Sequence, residues 1–391
     1  MPEISGETAP GFDKVREAFA ANLATGRDIG AAVSVYLHGR KVVDLWGGIA
    51  DPRTGRPWER DTLQVVYSTT KAVTAACALL LAQRGELDLD APVARYWPEF
   101  AAGGKENVPV RWLLTHQAGL PAIDQPVTPA EAIAWEPMVA ALAAQRPYWE
   151  PGTDHGYHGL TYGWLVGEVV RRASGRSLGT YLAEEIAGPL GLDLWIGLPE
   201  SEHHRVSRIV ADDLPGSDAL AAVDLDAVPE PMRGVLAAYA DPTSLTVRAM
   251  NVVTPPLDHN DPAEQAAEMP ATNGICTARG LAGFYAALIG HRILTPDHLA
   301  AATAERVAGV DRILRVPVRI GTGFGLPTPD AFWYSPAAFG FPGLGGSIGF
   351  ADPASGLAFG YVMNRLREGV PDVRVPSLLD AVREAGSTAE V

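Results

Sequence analysis

Ser68 stands three residues before Lys71 in V-Y-S-T-T-K-A-V-T, Val66 to Thr74, a spacing that bears on nucleophilic chemistry. A serine hydroxyl is a weak nucleophile unless a base lies within hydrogen-bond reach. On a helix, residues three apart share a face, so both side chains would point into one cleft. If that cleft is dry, desolvation disfavours the ammonium and moves a lysine down from about 10.4 towards a value at which it accepts a proton. The positive end of the helix dipole would favour an oxyanion at the same place. The chain has only four lysines, Lys14, Lys41, Lys71 and Lys105, and three positions before them stand Gly11, His38, Ser68 and Ala102, so S-x-x-K occurs once. The plain alternative is a serine that caps a helix and a lysine that reaches solvent. For an arbitrary S-x-x-K that alternative is the better one, and context has to decide.

A second serine competes. G-G-S-I-G, Gly345 to Gly349, matches the G-x-S-x-G nucleophile elbow and offers Ser347. That fold runs serine, then acid, then histidine, whereas the last histidine of this chain is His298. The flanking residues also read as a strand running to a turn at Asp352, not as a strand, sharp turn and helix. His203 and His204 are adjacent and cannot share a helical face, and Cys77 and Cys276 stand far apart without C-x-x-C spacing, so neither a metal site nor a disulfide is expected. No cofactor is called for.

The elements that must position Ser68 and Lys71 follow from hydrophobic period. Gly11 to Ala24 carries Phe12, Val15, Phe19 and Leu23 at helical spacing. Ala31 to Leu37 and Lys41 to Gly47 are β-rich runs around H-G-R, which predicts a hairpin. Ser347 to Asp352 and Leu357 to Asn364 form a similar pair near the other end, followed by a helix near Val375 to Glu384. Strands at both ends with helices outside predict an α+β fold in which the two termini build one antiparallel sheet. Helical runs at Ala72 to Gln83, Leu160 to Ala173 and Leu281 to Ile289 place a mostly helical domain between the halves. The expected division is 1–71 with 291–391 for the sheet domain and 72–290 for the helical one, with a long irregular excursion at about 203–267.

With 391 residues, 47% hydrophobic and 20% charged, the chain can bury a large core. Lys plus Arg of 31 against Asp plus Glu of 46 gives a formal charge of -15, which repels nucleic acid and anionic membranes. The N-terminus lacks a basic start and an apolar run, and no later segment is apolar for the length of a membrane helix. A cytoplasmic protein with a small-molecule substrate and neither nucleic acid nor membrane as partner is the expectation.

Three ordered blocks reverse the weighting against Ser68. D-T-L-Q-V-V-Y-S-T-T-K (Asp61 to Lys71) opens a long apolar helix, V-R-W-L-L-T-H-Q-A-G-L (Val110 to Leu120) follows, and W-E-P-G-T-D-H-G-Y-H-G-L-T-Y-G-W (Trp149 to Trp164) comes third. Together they resemble the serine penicillin-recognising superfamily: class C β-lactamases, D-alanyl-D-alanine carboxypeptidases and, most closely, family VIII carboxylesterases. The resemblance implies a β-lactamase/transpeptidase-like fold. It implies Tyr157, in Tyr157-His158-Gly159 after P-G-T, as the third catalytic residue beside Ser68 and Lys71. A phenol next to an ammonium would share one proton with it, and either could take the serine proton.

Two departures from the pattern matter. Gly159 stands where the superfamily's Y-x-N triplet carries Asn. No lysine follows Lys105, so the K-T-G motif is absent, and its best match is Phe341-Pro342-Gly343 before Leu344. Without that cation the pocket favours neutral acyl groups over carboxylates. By resemblance the oxyanion donors are the backbone N–H groups of Ser68 and Leu344, each worth about 3 kcal/mol. His158, Phe341, Gly343, Trp333 and Tyr334 are candidates for substrate binding, Trp149 is another aromatic that could wall the pocket, His116 is expected to be structural and His155 solvent-facing. The leading expectation is a serine esterase working through a Ser68 acyl-enzyme. Its rivals are an acyltransferase passing the same acyl group to an alcohol or amine, a weak β-lactamase or peptidase, and a non-catalytic binding protein that keeps the fold.

Overall fold

The protein is described from a computed structural model, for residues 3–211, 228, 230, 232–329, 333–367 and 372–388. The strands and helices that frame the site are β1 (Ile4–Thr8), α1 (Asp13–Ala24), β2 (Gly30–Leu37), β3 (Arg40–Asp51), α2 (Thr70–Gln83), α3 (Thr161–Ser174), α4 (Ala278–Ile289), β4 (Phe339–Pro342), β5 (Ile348–Asp352), β6 (Leu357–Met363) and α5 (Arg374–Thr388). Fold class and topology agree with the sequence reading: one antiparallel sheet runs β1-β3-β2-β6-β5-β4, so strands from both ends of the chain meet at the β2–β6 pairing, where Val33 faces Tyr361. The two-residue strand Arg56–Pro57 adds to β3. β1 was not anticipated, because I-S-G-E-T carries too little apolar alternation to announce an edge strand.

Local chemistry explains the hairpins. His38 and Gly39 both have positive φ, 48° and 75°, as a two-residue turn that follows the twist of β2 and β3 requires. At the β5–β6 turn the Asp352 carboxylate accepts the Ala354 N–H at 2.9 Å. Side chains alternate across the sheet as pleating dictates. Ala31, Val33 and Val35 of β2 and Phe359 and Tyr361 of β6 join Val15, Phe19, Leu378 and Val382 of α1 and α5 in one core. On the other face Gly349 and Gly360 lie opposite each other in register. A Cβ at Gly360 would come within 2.6 Å of the Ala278 carbonyl and one at Gly349 within 2.4 Å of Tyr285, so these glycines let α4 lie on the sheet.

Between β3 and β4 in sequence lie α2, α3 and α4, and α4 packs on the sheet, whereas the expected division at 72–290 placed it with the helices. Every residue of α2 from Thr70 to Leu81 is buried, and so is α3 from Thr161 to Val170; a helix buried all round lies inside a core and not on a surface. Within 203–267 the described residues include three helices, Met232–Ala240, Leu245–Met250 and Pro262–Ala266, where an irregular path was expected. Residues 212–227, 229 and 231 of that stretch lie outside the described residues. Among the described residues no helix is long and apolar enough to cross a membrane.

Candidate active site

The chain entering α2 is clamped before it reaches Ser68. Gln64–Val65 pairs with Ile275–Cys276, and Tyr67, with a positive φ of 46°, bridges to Asn273. A turn closed by Lys71 N–H donating to the Ser68 carbonyl at 3.0 Å then leads into α2. Ser68 therefore sits just ahead of the helix N-terminus, within reach of its positive dipole. Lys71 is fully buried inside the first turn.

Two side chains meet at Ser68 Oγ. Tyr157 OH lies 2.6 Å away and Lys71 Nζ 3.0 Å away. Lys71 Nζ also donates to the carbonyls of Gly159 at 2.7 Å and Ala271 at 3.0 Å, and sits 4.7 Å from the centre of the Tyr157 ring. Among the described residues no carboxylate pairs with this amine, and burial drives its pKa well below the ordinary lysine value. Burial acts on Tyr157 in the opposite sense and pushes the phenol pKa up, against a smaller lowering by the Ser68 hydrogen bond, while the nearby Asp311 carboxylate adds to the rise. Asp311 also accepts the Tyr157 backbone N–H at 3.0 Å and those of Ile313 and Leu314, which pins the tyrosine. Sequence reasoning missed Asp311, because nothing in V-D-R-I-L reveals that it folds under a residue 154 positions earlier.

Behind this group His116 is buried at φ 59°. It accepts the His158 backbone N–H at Nδ1 and packs its ring 5.1 Å from those of Tyr157 and Tyr162. Burial, with His158 and Lys71 nearby, lowers its pKa well below the usual value, so the ring is neutral.

The site opens on a cleft of about 800 Å³ with largely apolar walls, among them Met250, Val253, Leu257, Leu314, Val318 and Leu326. Of the candidates for substrate binding, Trp333, Phe341 and Gly343 lie in its wall, and so does Leu344, the expected oxyanion donor. The Phe341 ring stacks on Tyr157 at 6.3 Å. At Gly343 a Cβ would lie 2.2 Å from both the Val66 carbonyl and Ser347 Oγ, so glycine is what lets the turn carrying Leu344 approach the strand that leads to Ser68.

His158 and Tyr334, also expected at the cleft, do not line it. His158 Nε2 accepts the Leu120 N–H at 2.9 Å and Nδ1 lies 2.7 Å from the Gly156 carbonyl, so neutralising its own polar atoms turns the ring inward. Tyr334 packs under the guanidinium of Arg383, 5.2 Å from its ring. Trp149 is buried with its indole N–H on the Asp154 carbonyl, and His155 is half-buried where solvent was expected. Ser347 is buried and donates to the Val66 carbonyl at 2.9 Å, bracing the segment before Ser68. Among the described residues no group of three metal-ligating side chains occurs, and both cysteines are buried free thiols whose pKa burial raises.

The geometry can be set beside known proteins. The sequence profile of the beta-lactamase family matches residues 15–383. This chain belongs to the beta-lactamase family. It is 35% identical over 373 residues to Esterase/beta-lactamase LipL of Mycobacterium tuberculosis, covering 93% of this chain and 83% of that one. Its fold matches the crystal structure of a family VIII carboxylesterase with a TM-score of 0.86 at 40% identity, over 98% of this chain and 100% of the other. A penicillin-binding protein homologue from Caulobacter crescentus matches with a TM-score of 0.84 at 38% identity, over 98% and 100%. A Cβ at Gly159, where the resemblance implied an Asn, would meet Met250 Sδ at 3.3 Å, so the wall at this point is a thioether.

Proposed function

We propose that this protein is a serine carboxylesterase in which Ser68 attacks the ester carbonyl, Lys71 accepts its proton and Tyr157 donates one. The observation that carries the reading is the set of partners around Lys71 Nζ: two backbone carbonyls and the Ser68 hydroxyl. A neutral amine has two N–H bonds and one lone pair. Two donations to Gly159 and Ala271 leave the lone pair for the Ser68 hydroxyl hydrogen, and the burial-lowered pKa favours that neutral form. Tyr157, held as the phenol, is then an acid beside the same oxygen.

In acylation Ser68 Oγ bonds to the carbonyl carbon as its proton passes to Lys71. The tetrahedral oxyanion is held by the N–H groups of Ser68 and Leu344. Collapse breaks the bond to the alcohol oxygen, which leaves with a proton from the Tyr157–Lys71 pair. Water then repeats the sequence and releases the acid. Apolar walls and the lack of a K-T-G lysine support neutral esters as substrates over carboxylate-bearing lactams. The names of LipL and of the family VIII neighbour are in keeping with this.

The test is mass spectrometry of protein quenched within seconds of mixing with p-nitrophenyl butyrate, followed by peptide mapping. A butyryl adduct on Ser68, absent from Ser68→Ala, is the expected outcome. Neither adduct nor nitrophenol release would overturn the enzyme reading in favour of a binding protein, and an adduct on Ser347 would move the nucleophile.

A further inference from the structure

At the wall of the cleft stands a pair of polar side chains that the esterase chemistry leaves unused, one lining it and the other behind. His259 lines the cleft and is 7% exposed, and Glu264, one turn into Pro262–Ala266, is 4% exposed. His259 Nδ1 and Glu264 Oε2 face each other at 3.5 Å. Both atoms are buried, and neither has a hydrogen-bond partner among the described residues. Leaving a carboxylate oxygen and a ring nitrogen unpaired in a low-dielectric interior is costly, so a shift of a few tenths of an ångström that closes this contact is favoured.

Everything around the pair holds it in register. The other Glu264 oxygen accepts the Asp258 N–H at 2.9 Å, Gln265 donates to the His259 carbonyl at 3.0 Å, and Asn260 ties the loop to Ile209. The His259 ring meets the Tyr67 ring edge-on at 5.1 Å, and Tyr67 is the residue before Ser68. The loop is thus built against the nucleophile's own turn.

A carboxylate only accepts hydrogen bonds, so it claims the single ring proton of a neutral histidine at Nδ1. In the neutral ring with Nδ1 turned to Glu264, the nitrogen left for the cleft that His259 lines is Nε2, with a lone pair. We propose that His259, oriented by Glu264, is a hydrogen-bond acceptor site that selects esters bearing a hydroxyl group close to the scissile carbonyl. The inference rests on the esterase reading above and adds the substrate class. A hydroxyl satisfies the site, a methylene leaves Nε2 dry, and a methoxy group offers oxygen lone pairs where a donor is needed. A site of this kind penalises the mismatched analogue much more than a hydrophobic pocket penalises a missing methylene.

Three matched esters test it: p-nitrophenyl 3-hydroxybutyrate, 3-methoxybutyrate and butyrate. A second arm carries the groups on the alcohol, as the 2-hydroxyethyl and 2-methoxyethyl esters of butyric acid, and separates a hydroxyl in the acyl chain from one in the leaving group. The expected result is a hydroxyl-over-methoxy ratio in kcat/KM of about tenfold or more in one arm, the size of one well-placed hydrogen bond. Glu264→Gln turns an amide N–H towards Nδ1, moves the ring proton to Nε2 and converts the site from acceptor to donor. In that variant the ratio should fall towards one or invert, and His259→Phe should flatten it. A structural role alone predicts no such inversion. Ratios are compared within each variant, so a general loss of activity does not disguise the outcome. Calorimetric binding of the same esters to Ser68→Ala reads the preference without turnover. A wild-type ratio within twofold in both arms, in rate and in affinity, would overturn the proposal while a Ser68 adduct still stood. No Ser68 adduct with a persisting hydroxyl preference in binding would instead sink the esterase chemistry and keep the site.

Discussion

Two lysines are buried to zero exposure in this protein, Lys71 and Lys105, and among the described residues neither has a carboxylate partner. Each makes three hydrogen bonds. Lys105 donates to the carbonyls of Ala102, Ala143 and Gln145, while Lys71 donates to two carbonyls and meets the Ser68 hydroxyl. That one difference decides what each can do. Three carbonyls can only accept, so they match the three N–H bonds of an ammonium. Two carbonyls and a hydroxyl match a neutral amine whose lone pair takes a hydrogen. Burial lowers both pKa values: Lys105 falls to about 8 and stays charged at neutral pH, and Lys71 is held well below the ordinary lysine value. Burial alone does not make a lysine a base; the partner set does.

The comparison is broken most directly by removing each amine. Lys71→Met should lower kcat/KM for p-nitrophenyl butyrate by about 10³-fold or more, the scale of a lost general base with its nucleophile. Lys105→Met should leave the Ser68 burst and turnover within about threefold. Equal losses in the two variants would mean that Lys71 supports the fold and not the chemistry.

Tyr157→Phe sharpens the Lys71 side. Removing the proton donor at 2.6 Å from Ser68 Oγ should cost about 10²-fold in kcat/KM. The pH profile of the unaltered protein should rise with pH as Lys71 loses its proton, with a midpoint well below the ordinary lysine value, and then level off. With the Tyr157 pKa raised, no alkaline fall is expected below about pH 10. A bell centred near neutral pH would require a different acid.

Stability should show the reverse ranking. Lys105→Met strips three carbonyls of their donor, and at about 1 kcal/mol for each orphaned group the unfolding free energy in urea should fall by about 3 kcal/mol. Lys71→Met orphans two carbonyls and should cost less.

These contrasts also show what the sequence discloses. Ser68 and Lys71 are legible because a single helical turn sets their relation, and local spacing survives folding. The sheet was legible for the same reason: β2, β3, β5 and β6 each announce themselves by alternation and bounding turns. The partner set of Lys105 was not, since Ala143 and Gln145 reach it from 38 and 40 positions away and contribute only backbone atoms. Asp311 beneath Tyr157 was hidden too, because a carboxylate used for a hydrogen bond 154 positions away leaves no periodic trace, and Glu264 behind His259 was hidden because its partners lie in a short loop with no period of its own. His158 misled through adjacency. It follows Tyr157 directly, yet consecutive side chains in a non-helical segment diverge, and it went to Leu120 while Tyr157 went to Ser68.

The smallest effect isolates Lys105. Its folded pKa of about 8 lies below its unfolded value of 10.5. Between those limits the unfolded chain binds more protons than the folded one, so stability contributed by this group rises with pH through the window. Below about pH 7.5 both states are charged and the contribution is constant. Lys71 and the tyrosines with raised pKa values add slopes of their own, and subtracting the urea midpoints of Lys105→Met at each pH removes them. The difference curve should be flat up to about pH 7.5 and then rise by about 2 kcal/mol by pH 9.5. A flat difference throughout would mean that the three carbonyls hold the ammonium at its ordinary pKa, in which case the contrast with Lys71 is wider still.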